Sequence, residues 1–273
     1  TEEPLHRPPG YPWFLALLYS LSDGNVRFVL ALQHLAGLLS VGLLFLLGRA
    51  LRGPTLGLVA AALYGLAWSP IYFEGELHAP ALLIPLVLGA MLLAVGNGNG
   101  PRRPLFSFLA GLLFALGVLC RPNSLLLALA VGGWVWRRAG RRMGACLLAG
   151  LVLFPVPSLV RNIQAADQAV PMTTGLGINL FLGQRPEANG VINSDLGQDL
   201  GRYRTCFDWP KVVARLSEQE GRQLSHQEAD ALLRSRGVSS VLGDPLGFVA
   251  RTGAKAVLLL GPREVGHNKE VEG

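Results

Sequence analysis

The residues of this chain best suited to chemistry are two glutamates, a histidine and a few scattered cations. Glu74, Glu76 and His78 occupy alternate positions in Ser69-Pro70-Ile71-Tyr72-Phe73-Glu74-Gly75-Glu76-Leu77-His78, a short acidic and aromatic stretch between two apolar runs. Carboxylates so placed can orient or deprotonate a hydroxyl or phosphate acceptor. Arg7, Arg121, Arg161 and Lys255 stand at or near the ends of apolar runs. A guanidinium or ammonium there can hold a phosphate at headgroup depth, where a lower dielectric strengthens the pairing. Each group also has a plainer reading. The acidic stretch can be an interfacial turn with Trp68 and Tyr72 as belt residues. Arg7 can touch lipid headgroups, Arg121 can close the tight turn with Pro122 and Asn123, and Arg161 can snorkel from a helix end.

These groups need a scaffold, and composition says what kind. Of 273 residues, 51% are hydrophobic and 15% charged, against about 25% charged in a soluble domain. Mean hydropathy is +0.39. No lysine precedes Lys211, and residues 11–160 are almost wholly apolar. The pattern predicts a membrane domain joined to a polar one. The net charge of +6 does not point to nucleic acid, because the arginines sit in pairs in short loops between apolar runs.

Residues 13–21 are apolar but too short to span, and fit a helix lying at the membrane surface. Six spanning segments are expected after it, at 25–47, 55–71, 79–95, 105–119, 124–136 and 143–160. Arginines concentrate in the first, third and fifth connecting loops: Arg49 and Arg52, then Arg102 and Arg103, then Arg137, Arg138, Arg141 and Arg142. The other loops carry Glu74, Glu76 and His78, then Arg121. The positive-inside rule makes the odd loops cytoplasmic. The amino-terminal segment, the acidic stretch, Arg121 and everything after Arg161 then face the outer side.

Beyond residue 161 the chain turns polar. Residues 162–210 read as an ordered loop region. Ser225 and Glu228 form a capping box ahead of an amphipathic run to Arg236. Asp244-Pro245 opens a last helix, whose apolar stripe of Phe248, Val249 and 257–260 is expected to rest on the outer membrane face. The expected domains are a juxtamembrane segment at 1–23, a six-helix membrane domain at 24–160 and an extracytoplasmic region at 161–273. Cys120, Cys146 and Cys206 match no zinc or haem spacing and imply no disulfide framework. No dinucleotide or Walker glycine loop, nucleophile elbow or zinc-protease motif occurs. Gly175-Leu176-Gly177 is a lone glycine pair.

Several stretches together resemble a known family. His6-Arg7-Pro8-Pro9-Gly10-Tyr11-Pro12-Trp13 is similar to the basic-Pro-Pro-x-x-x-aromatic segment of the C-superfamily membrane glycosyltransferases (family 39-like), which include the protein O-mannosyltransferases and lipid A aminoarabinose transferases. Residues 27–52, with Leu-Leu-Gly-Arg at 46–49, resemble the helix that follows. Tyr72-Phe73-Glu74-Gly75-Glu76-Leu77 looks like the outer loop after the next helix. Gly117-Val118-Leu119-Cys120-Arg121-Pro122-Asn123 is similar to that fold's Arg-Pro turn. Val160-Arg161-Asn162, with Val170-Pro171-Met172-Thr173-Thr174-Gly175-Leu176-Gly177-Ile178-Asn179-Leu180, resembles the start of its large outer loop.

The resemblance implies an all-α polytopic membrane bundle with an extracytoplasmic mixed loop and helix region. It implies an inverting transferase that moves a sugar from a polyprenyl-phosphate-linked donor to a lipid or protein acceptor, in a bacterial cytoplasmic membrane. By it, Arg7 contacts the lipid phosphate, Arg121 and Arg161 support it, and Glu76, then Glu74, lines the site beside His78. The donor arrives activated, so no nucleotide is needed, and metal dependence is left open. The family's catalytic Asp lies in an outer loop amino-terminal to everything here, so this stretch alone is expected to be inactive. The rival class is a transporter or a non-catalytic multispanning assembly protein. Transporters place polar groups and broken helices near mid-membrane, whereas the segment centres here are nearly all Leu, Ala, Gly and Val.

Overall fold

The computed structural model describes residues 8–95, 103–166, 175–185, 188 and 209–260, and these form thirteen α-helices with no strand among the described residues. The chain divides into two compact units, Thr1–Met172 and Thr173–Gly273.

Among the described residues the first unit holds nine helices, and local sequence sets their ends. Helix α1 is Gly10–Leu21, and Asp23 and Gly24 turn the chain after it with positive φ. Helix α2, Val26–Arg52, starts on Asn25, whose Oδ1 accepts from the amides of Arg27 and Phe28 at 3.0 and 3.3 Å. It stops at Gly53, whose φ of 98° a side chain would resist, and Pro54 opens α3, Pro54–Leu66. Helix α4, Trp68–Gly75, follows after one residue at a bend of 54°. Pro70 explains the break: it has no N–H for the Leu66 carbonyl, and its ring would clash there. The remaining helices are α5 Pro80–Val95, α6 Arg103–Cys120, α7 Ser124–Ala139, α8 Arg141–Val152 and α9 Pro155–Ala166.

The six expected spanning segments are mostly helical, but the second breaks at Ala67 and the sixth at Leu153 and Phe154. By length and composition, Val26–Arg52, Arg103–Cys120 and Arg141–Gln164 can cross a membrane, and the bent pair α3–α4 makes a fourth if it is one span. Helix α5 is a shorter apolar helix, and α7 has 16 residues ending on an arginine pair. Helix α6 sits centrally, packed on α8 and α5, while α2 packs on α3, α5 and α4. A Cβ at Gly111 would strike the Leu147 backbone, and one at Gly150 the Phe108 carbonyl, so α6 and α8 cross in direct backbone contact. Ala90, Phe114, Ala115, Val118, Ala128 and Leu151 fill one core cluster. Leu38, Leu58, Leu63, Leu66 and Leu126 point outward, each more than 60% exposed. A unit that is apolar outside as well as inside is built for lipid.

The second unit contains α10 Leu176–Gln184, α11 Trp209–Glu220, α12 His226–Gly243 and α13 Pro245–Leu260. The region read as loop therefore contains a helix. Its amino terminus is held from a distance: the Asp230 carboxylate accepts from the amides of Gly177 and Ile178 at 2.8 and 3.4 Å. Gly177 lacks the Cβ that would strike the Asp230 carbonyl, so this glycine of the pair serves a helix crossing. The capping box of α12 forms as expected: Ser225 Oγ accepts from the Glu228 amide at 3.2 Å, and the Glu228 carboxylate from the Ser225 amide at 2.8 Å. Helix α12 continues beyond Arg236 to Gly243. Trp209, Val212, Leu216, Ala229 and Leu233 form the core.

Candidate functional site

The acidic stretch is the end of α4 and the turn beyond it. Glu74 lies in the last turn of the helix, and Glu76 is extended, with φ −103° and ψ 148°. The His78 amide donates to the Glu76 carbonyl at 2.8 Å, and the His78 ring meets Phe73 edge-on at 5.7 Å. The turn is also held from α2. Gln33, two turns into α2 and 1% exposed, donates through Nε2 to both the Glu74 and the Glu76 carbonyls, each at 2.9 Å. Its Oε1 accepts from the Tyr11 hydroxyl at 2.5 Å. Burial pushes the Tyr11 phenol well above its ordinary value, so Tyr11 remains a donor across the physiological range. Both ends of the Gln33 carboxamide are thus used, which a buried amide requires.

One turn further along α2, Gly37 leaves room for an acid. A Cβ there would collide with the Glu74 carboxyl, so that side chain lies on the surface of α2. His34 is within electrostatic reach of Glu74, and its Nδ1 lies 2.8 Å from the Leu30 carbonyl. Tyr64 of α3 lies near both Ser40 and Glu74. The Ser40 hydroxyl donates to the Ala36 carbonyl at 2.9 Å. Gln33, Gly37 and Ser40, all buried, sit four and three residues apart, so they form one stripe facing the acidic turn.

Helix α1 closes the other side. A Cβ on Gly10 would strike the Leu119–Cys120 backbone, so the start of α1 lies directly on the last residues of α6. Arg121 follows at once. Its amide donates to the Gly117 carbonyl at 2.8 Å, and its carbonyl accepts from both the Ser124 amide and hydroxyl, at 3.0 and 2.8 Å. The turn is closed by backbone and Ser124, leaving the Arg121 side chain exposed.

Glu74, Glu76 and His78 therefore share one turn, and Tyr11 and Gly10 tie that turn and the Arg121 turn to the same first residues of α1. Arg7 lies outside the described residues. Arg161 lies in α9, which packs on α6 and α8, and only its helical backbone is described. Lys255 belongs to the second unit, where its Nζ donates to the Gly183 carbonyl. Desolvation first, then the neighbouring Arg251, holds its ammonium below the ordinary value. Among the described residues, no group of three or more His, Cys, Asp or Glu side chains is placed to hold a metal ion. Gln33, His34, Gly37, Ser40 and Tyr64 were not singled out by sequence reasoning. The available signal was Gln33-His34 itself, a polar pair inside an otherwise apolar spanning helix.

No curated protein and no solved structure matches this chain. The family model described as dolichyl-phosphate-mannose-protein mannosyltransferase matches residues 6–160, which is more than half of the chain and includes the acidic turn, its α2 stripe and the Arg121 turn. The chain belongs to that family, and is a membrane glycosyltransferase of the GT-C type.

Proposed function

We propose that this protein transfers a sugar from a polyprenyl-phosphate-linked donor to a lipid or protein acceptor at the extracytoplasmic face of a bacterial cytoplasmic membrane, with inversion. The observation that carries the reading is the junction at the start of α1. Through Tyr11 and Gln33 it meets the acidic turn, and through Gly10 it meets the residues before Arg121. The turn that carries Arg121 and the turn that carries the carboxylates are thereby both tied to one short segment.

In this reading Glu76, with Glu74 as the second candidate, orients the acceptor. The general base is the acidic outer-loop residue that the resemblance implies. The acceptor oxygen loses its proton to that base and attacks the anomeric carbon as the bond to the phosphate oxygen breaks. The departing polyprenyl phosphate carries the released electron pair as negative charge. Arg7, supported by Arg121 and Arg161, stabilises it. His78, edge-on to Phe73, borders the acceptor side.

The test is transfer from radiolabelled polyprenyl-phosphate sugars, mannose first and then other hexoses and pentoses, by the full-length protein in liposomes. Glu76→Gln is expected to lower turnover by about 10²–10⁴-fold, the range for one positioned acid or base, with the melting temperature unchanged. Damage from Glu74→Gln with a silent Glu76→Gln would move the role to Glu74. Absence of transfer from every polyprenyl-phosphate sugar would refute the donor class.

A further inference from the structure

Gln33 is uncharged and buried, and lies in a helix that the proposed chemistry does not use. Its three hydrogen bonds nevertheless join two elements that are remote from each other in the chain. Tyr11 is 22 residues away, and the Glu74 and Glu76 carbonyls are 41 and 43 residues away. The carbonyls belong to the turn that the His78 amide closes on the Glu76 carbonyl at 2.8 Å. The Gln33 carboxamide therefore bridges the acidic turn and the start of α1. The polarity is fixed, because Tyr11 can only donate at Oε1 when Nε2 serves the two carbonyls.

We infer that Gln33 is a positioning residue: its carboxamide locks the acidic turn to the start of α1, so that the acceptor-orienting and phosphate-holding sides of the site move as one body. The inference rests on the proposed reading of the turn as part of the transfer site. Gln33 touches no reacting atom; it acts through the Glu74 and Glu76 backbone. Geometry in a transfer site is worth large rate factors, and small displacements forfeit them. A lock between the two sides also makes binding at one side felt at the other, because a ligand that orders α1 orders the turn through the same amide.

The test is amide hydrogen exchange on the full-length protein in detergent, with wild type, Gln33→Leu and Tyr11→Phe compared, and with undecaprenyl phosphate as the probe. Without lipid, exchange across residues 74–78 is expected to rise about tenfold in Gln33→Leu, the scale of losing one or two net hydrogen bonds. A smaller rise is expected in Tyr11→Phe, and peptides from α6 and α8 should keep wild-type rates. Undecaprenyl phosphate is expected to slow exchange at 74–78 in the wild type. In Gln33→Leu the lipid should still bind but leave 74–78 unaffected. Wild-type exchange rates in both variants would overturn the lock, as would a lipid response that survives Gln33→Leu. If Gln33→Leu fails to fold, Tyr11→Phe decides by the same criteria. If the lipid does not bind wild type, the donor reading fails, while the exchange rates without lipid still decide the lock.

Discussion

Gly37 shows how a missing side chain places a charged one. The Glu74 carboxyl lies where the Gly37 Cβ would be, so the two cannot coexist unchanged. Gly37→Ala brings about 1 kcal/mol of helix propensity, and the atoms it would strike are the far end of the flexible Glu74 side chain, which can swing aside at small cost. The propensity term is expected to win. The variant should melt no lower than wild type, and carbodiimide should label Glu74 faster once its carboxyl is pushed off α2. Thermal unfolding and peptide mapping of the labelled protein check both. The glutamates, His78 and Arg121 were legible in the sequence because ionisable groups beside apolar runs stand out. Gln33 and Gly37 were not, because neither is charged and their meaning depends on a turn some forty residues away. Periodicity places them on one face of α2, but only the fold says that Glu74 and Glu76 are what that face meets.

Elements whose signals are local were legible, and those held by distant partners were not. The α12 capping box was readable because Ser225 and Glu228 are three residues apart. Helix α10 was read as loop because Asp230 caps it from 53 residues away. The bend between α3 and α4 falls inside an expected span because Pro70 acts on Leu66, a turn earlier. The capping box has its own pH signature. The Ser225 amide, and then Arg222, hold the Glu228 carboxyl at about 2, below its ordinary 4.5. A depressed carboxyl stabilises the folded helix above its unfolded value and loses that contribution as pH falls through the folded one. Protection of the α12 amino terminus is therefore expected to be full above pH 4.5 and to fall between 4.5 and 2. Glu228→Gln should flatten that fall. Hydrogen exchange on peptides covering 225–233, read against pH in both proteins, checks it.

At the scale of the whole molecule, the six apolar segments of the first unit were legible as helices because apolar run length is written directly in the sequence. Sidedness is a separate expectation and rests on the arginines. In a background without Cys120, Cys146 and Cys206, single cysteines at Gly98 and Gly140 are expected to be shielded from an impermeant thiol reagent in intact cells. A cysteine at Gln198 is expected to react. Labelling at Gly98 would reverse the orientation. The bend between α3 and α4 also bears on the bilayer itself. Thirteen residues of α3, even upright, rise about 20 Å, and eight residues of α4 inclined at 54° add about 7 Å. Taken as one span, the pair covers roughly 27 Å of a hydrocarbon layer about 30 Å thick. Lipid beside it must thin or tilt to match. On the proposed reading the membrane surface is then expected to be drawn down beside the acidic turn, which would bring the phosphate of a long-chain lipid nearer to it.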